Sequence, residues 1–91
     1  MMYHRERYLQ HLKGKFKEWV PWIAQACNAS VKVADGQASS FTVIVRWMEG
    51  DEEKEFRRLY NASNAGEIRA GCLKPYAREI ILKVLEMKGK L

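Results

Sequence analysis

Five carboxylates crowd one short stretch, Glu49, Asp51, Glu52, Glu53 and Glu55 in EGDEEKE, and metal-assisted phosphodiester cleavage would need such groups to converge on one point. Read as a turn and a helix start, the stretch has a simpler role, because acids next to the positive end of a helix dipole stabilise it without catalysis. His4 and His11 stand seven residues apart, roughly 10 Å along a helix axis, too far to share a metal. As the only histidines they also leave no Ser-His-Asp or Cys-His set. Cys27 and Cys72 belong to no CxxC spacing and read as small core thiols rather than zinc ligands or a disulfide framework. The six glycines are scattered, with no GxxxxGK phosphate loop. The expectation is a non-enzyme with no metal and no cofactor.

Binding chemistry is better represented. The net charge of +5 is concentrated at the two ends: residues 1–18 carry +3 (Arg5, Arg7, Lys13, Lys15 and Lys17 against Glu6 and Glu18), residues 19–66 carry −1, and residues 67–91 carry +3. Basic ends favour a polyanion partner. Phe41, Trp47 and Tyr60 are aromatics of the kind that stack on bases, but at strand and helix spacing they read as core. Trp19 and Trp22, either side of Pro21, are the residues best suited to anchor a protein contact.

The elements that must position these groups follow from periodicity. At 91 residues and 47% hydrophobic the chain is one domain with a single modest core. It lacks the run of about 20 apolar residues that a membrane span needs, and the charged N-terminus is unlike a secretory signal, so a cytoplasmic location is expected. Residues 1–20 form a basic amphipathic helix through Leu9, Leu12, Phe16, Trp19 and Val20. A kink or fresh start is expected at Pro21, and a helix exit at Asn28. VKVAD and FTVIVRWM read as strands around a flexible turn, the second with Val43, Val45 and Trp47 on one face and Thr42, Ile44 and Arg46 on the other.

After Gly50 the chain has two choices. Phe56, Leu59 and Tyr60 fall together at i, i+3 and i+4, and Asp51 offers an N-cap, which predicts a helix over 51–61. A strand over GEIRAGC and a helix from Lys74-Pro75, with Ala77, Ile80, Ile81, Val84 and Leu85 on one face, complete the chain. The fold expected is α+β, helix-strand-strand-helix-strand-helix, an antiparallel sheet covered by helices on one face. If Lys54 to Tyr60 instead pairs with Phe41 to Met48, the plan is helix, three strands, helix. That plan is similar to double-stranded-RNA-binding domains, and RNA then moves ahead of DNA.

IAQACNASV, Ile23 to Val31, followed by Lys32-Val33, resembles a degenerate LAGLIDADG motif of homing endonucleases, whose helix leads into a DNA-reading strand. The resemblance spans about residues 19–88, including RLYNAS and GEIRAG. It implies a DNA-facing sheet and close packing of the motif helix against a second copy. The motif's acid positions hold Asn28 and Ser30 and its closing glycine is Val31, so it implies binding without cleavage.

These readings converge on a non-catalytic nucleic-acid-binding protein, DNA ahead of RNA, that uses Lys32, Thr42, Arg46 and Arg69 on the sheet with Lys13 and Lys17 on the first helix. The other reading is a small protein-interaction module, an inhibitor or adaptor, docking through the Trp19-Trp22 corner and the basic ends. A homodimer is expected through Trp22, Ile23, Ala24 and Ala26, or through the C-terminal helix.

Overall fold

In the computed structural model, which describes residues 3–63 and 73–91, the order is α1 (Tyr3–Cys27), β1 (Ser30–Asp35), β2 (Phe41–Glu49), β3 (Glu52–Tyr60) and α2 (Lys74–Met87). The three strands form an antiparallel meander, β1-β2-β3, and no described helix is long and apolar enough to cross a membrane. The expected strand over GEIRAGC lies outside the described residues.

α1 buries Leu9, Leu12, Phe16, Ile23 and Cys27, a 3-4 spaced stripe that faces the sheet and α2. The helix continues through Pro21 and makes no fresh start there. Proline removes one backbone bond and costs about 3 kcal/mol in a helix interior. Here its ring is on the solvent side, and full burial of Ile23 beyond it offsets about 1.5–3 kcal/mol. The expected exit at Asn28 is present. Asn28 takes φ 50°, its N–H donates to Gln25 O at 3.4 Å and the N–H of Ala29 to Ala24 O at 3.1 Å, the paired bonds of a Schellman termination. α2 ends the same way, with Gly89 at φ 72° and bonds from Gly89 N to Glu86 O and from Lys90 N to Leu85 O.

The segment after Gly50 is a strand, which corrects the helix expected over 51–61. Gly50 takes φ 65° while Asp51 has no positive φ, the pattern of a type II′ hairpin turn, and Glu49 pairs with Glu52 through to Phe41 with Tyr60. The register puts Lys54, Phe56, Arg58 and Tyr60 on the inner face, opposite Trp47, Val45, Val43 and Phe41. Charge appears on that face because β3 is an edge strand that the helices cover incompletely. α1 packs on α2, β1 and β2, whereas β3 meets the helices through an Arg58–Glu79 ion pair at 3.3 Å and through Tyr60 against Phe16 and Tyr76. Arg58 also lies over the Phe56 ring at 5.8 Å.

The core is continuous: Phe16 and Phe41 meet Tyr60, and Val43, Val45 and Trp47 from β2 belong to the same buried cluster as Ala77, Ile80, Ile81 and Val84 from α2. Phe41, Trp47 and Tyr60 are therefore core residues, as their spacing predicts. Both helices lie on this face. The opposite face carries Ser30, Lys32 and Ala34, then Thr42, Ile44 and Arg46, then Glu53, Glu55, Arg57 and Leu59, of which Ile44 alone is buried.

Candidate nucleic-acid interface

The cations expected to contact nucleic acid are distributed over different surfaces. Lys32, Thr42 and Arg46 do share the open sheet face, but Arg46 is neutralised. Its Nε donates to Glu55 Oε1 at 2.7 Å and lies 3.8 Å from Glu53, while Arg57 donates to the other oxygen of Glu55, also at 2.7 Å. Hydrogen bonds from Arg57 and Arg46 hold the Glu55 carboxyl below the usual range. Thr42 is half-buried between Ala34 and Leu59, which leaves Lys32 as the one described cation of that face without an ion pair.

Lys13 and Lys17 lie one helical turn apart on the flank of α1 nearest β1. Lys13 Nζ donates to Asp35 Oδ1 at 2.9 Å, and this bond, with the charges of Lys13 and Lys17, lowers the Asp35 carboxyl. Lys13 is thus an anchor of the helix on the sheet. Arg69 lies outside the described residues.

The other flank of α1 is where basic and aromatic groups converge. His11, Lys15 and Trp19, each one turn from the next, line a groove of about 360 Å³ whose far wall is Leu73 and Lys74 at the start of α2. At the far end of the helix pair Lys88 Nζ donates to Cys27 O at 2.6 Å, so α1 and α2 run side by side in the same direction. Among its described lining residues there is no carboxylate. Lys15 does reach Glu18 at 3.5 Å, but that pair is exposed and holds the lysine only loosely. The start of α2 is also positive by construction: Leu73 provides no side-chain cap, Pro75 occupies the first turn, and no acid stands there. The dipole of a 14-residue helix therefore adds to the charge of Lys74 and Lys15.

This groove was not singled out from sequence, because His11, Lys15 and Lys74 are brought together only by the parallel packing of helices whose starts are 71 residues apart. The i, i+4 series His11, Lys15, Trp19 was the available signal.

Of the residues expected at a dimer interface, Ile23 is corrected to the core, where it is fully buried. Trp22 is 38% exposed, Ala26 is exposed and Ala24 half-buried. Trp19 is half-buried, edge-on to Phe16 at 5.3 Å and to Trp22 at 6.4 Å. Cys27 is buried, which pushes its thiol up despite Lys88 nearby. Among the described residues no group of three His, Cys, Asp or Glu could hold a metal ion. Comparison with protein-family models, with curated proteins and with solved structures finds no match for this chain.

Proposed function

We propose that the protein is a non-catalytic binder of double-stranded RNA that engages the duplex with its helical side. The observation that carries this reading is the α-β-β-β-α order with both helices on one sheet face, the plan similar to double-stranded-RNA-binding domains. With Glu52–Tyr60 a strand, RNA comes ahead of DNA. The charge distribution supports the same side: Lys15 and Lys74 with His11 line a groove with no carboxylate among its described lining residues, and Arg7 and Arg78 on the same helices enter no ion pair among the described residues. On the open sheet face, two of three cations are tied to Glu55. An A-form duplex is read largely by its shape and by 2′-hydroxyl and phosphate contacts, which suits a surface of lysines with little side-chain hydrogen-bond specificity.

The test is a titration of duplex RNA, duplex DNA and single-stranded RNA of equal length at two salt concentrations. Duplex RNA should bind most tightly and weaken steeply with salt, as counterion release requires. Absence of binding to duplex RNA at low salt refutes the proposal.

Trp22 supports a second reading. A tryptophan 38% exposed beside a half-buried Trp19 suits a protein contact, and a stoichiometric protein partner that survives nuclease treatment would favour that role.

A further inference from the structure

The groove between α1 and α2 holds two kinds of side chain, and an intact duplex uses only one of them. Lys74, Lys15 and His11 suit phosphate, whereas Trp19 and Leu73 form an aromatic and aliphatic wall. Inside a duplex the bases are stacked and paired, so their faces are out of reach of a tryptophan on the backbone side. At a strand end one face of the last base is free, and a terminal phosphate lies beside it. We propose that the groove seats a nucleoside monophosphate, either a phosphorylated strand end or the free nucleotide, with its phosphate among Lys74, His11 and Lys15 and its base against Trp19. The site is the one assigned above to duplex RNA, and the strand-end source of the nucleotide rests on that reading.

The groove's volume of about 360 Å³ falls within the roughly 300–1,000 Å³ of small-ligand sites. Its three α1 residues follow at one-turn intervals, about 6 Å along the axis, with the basic pair His11 and Lys15 first and Trp19 after them. This order gives the groove a phosphate end and a base end. Among the described residues neither His11 nor Lys74 forms an ion pair or a side-chain hydrogen bond. Lys15 is held only by Glu18 at 3.5 Å, with 40% and 67% of the two side chains exposed. A phosphomonoester carries about two negative charges and three acceptor oxygens, against the single charge of a phosphate within a strand, and competes with Glu18 accordingly. Trp19 is half-buried, and its ring neighbours meet it nearly at right angles, Phe16 at 81° and Trp22 at 86°. No described ring stacks parallel to Trp19, so a base meets no competing ring there.

Titration of the full chain with adenosine 5′-monophosphate, adenosine 3′-monophosphate, adenosine and inorganic phosphate, followed by NMR at the Trp19 indole N–H, tests the site. At least one monophosphate should shift that resonance and bind at least about fivefold more tightly than adenosine or phosphate alone, the gain that stacking on one aromatic provides. Monophosphates no tighter than inorganic phosphate overturn the proposal. Trp19→Leu should bring the monophosphate down to the affinity of phosphate, and a folded variant that keeps the full advantage overturns the base contact. If Trp19→Leu fails to fold, Lys74→Gln decides in its place: affinity weakened at least about threefold supports the site, and unchanged affinity overturns it. Blunt RNA duplexes of about 16 base pairs with 5′-phosphate, 3′-phosphate or hydroxyl ends decide the source. Tighter binding of phosphorylated ends places the nucleotide on a strand, whereas equal binding of all three overturns the strand end and leaves the duplex reading intact. Failure of every duplex to bind refutes the duplex reading, and the free monophosphates then decide the groove alone.

Discussion

Arg58 on β3 and Glu79 on α2 form the ion pair that ties the last strand to the last helix, at 3.3 Å with side chains 33% and 50% exposed. An arginine at an inward-facing position is tolerated here because the position lies at the sheet margin, where its guanidinium reaches both a carboxylate and the Phe56 ring. At such exposure the pair contributes little, so a double-mutant cycle of Arg58→Ala and Glu79→Ala should give a coupling of about 0.2–1 kcal/mol. Chemical denaturation of the four proteins measures it.

The hydroxyl of Tyr60 is buried and makes no hydrogen bond, among ring contacts with Phe16, Phe41 and Tyr76. Burial, with Glu79 and Tyr76 against the opposing effect of Arg58, raises its phenol well above the ordinary value. The unfolded chain ionises this group first, so its contribution to stability is intact below about pH 10 and is lost as the pH rises towards the folded-state value. Tyr60→Phe removes the orphaned hydroxyl and should be neutral or stabilising by about 1 kcal/mol at neutral pH. Thermal melts from pH 8 to 11 should show a steeper alkaline loss for the unmodified protein than for Tyr60→Phe.

The β1–β2 connection stores strain. Ala38 and Ser39 sit at φ 50° and 65°, in a turn closed by Ser40 N donating to Gln37 O at 2.9 Å, the two positive angles of a type I′ turn that Asn-Gly fills best. Ser39→Gly or Ala38→Asn should each stabilise by about 0.5–1 kcal/mol, read as a rise in melting temperature. Gly36 behaves oppositely: a Cβ there would stand 2.5 Å from Ser40 Oγ, so Gly36→Ala should destabilise.

Much of this architecture was legible in the sequence, and the failures have physical causes. The stripe Leu9, Leu12, Phe16, Ile23, the faces of β2 and the buried side of α2 follow directly from their periods. β3 departs from the helix expected over 51–61 because Leu59, at 45% exposure, lies on the outer face while Arg58 takes the inward place. An edge strand with a charge turned inward blurs the period of two that marks a half-covered strand. Asn61 likewise ends a strand, and its Oδ1 accepts from Ser63 N at 2.9 Å. The basic groove was hidden for a different reason, since Lys15 and Lys74 meet only in the packed helix pair.

Charge reversal within that groove bears most directly on the central claim. The affinity for a duplex RNA of about 20 base pairs, longer than the roughly 16 that such a fold spans, should fall at least about tenfold in Lys15→Glu and in Lys74→Glu, about 1.4 kcal/mol. Lys32→Glu on the open sheet face should leave it within about twofold. Equal losses in all three, or unchanged affinity in the two groove variants, would contradict binding through the helical side.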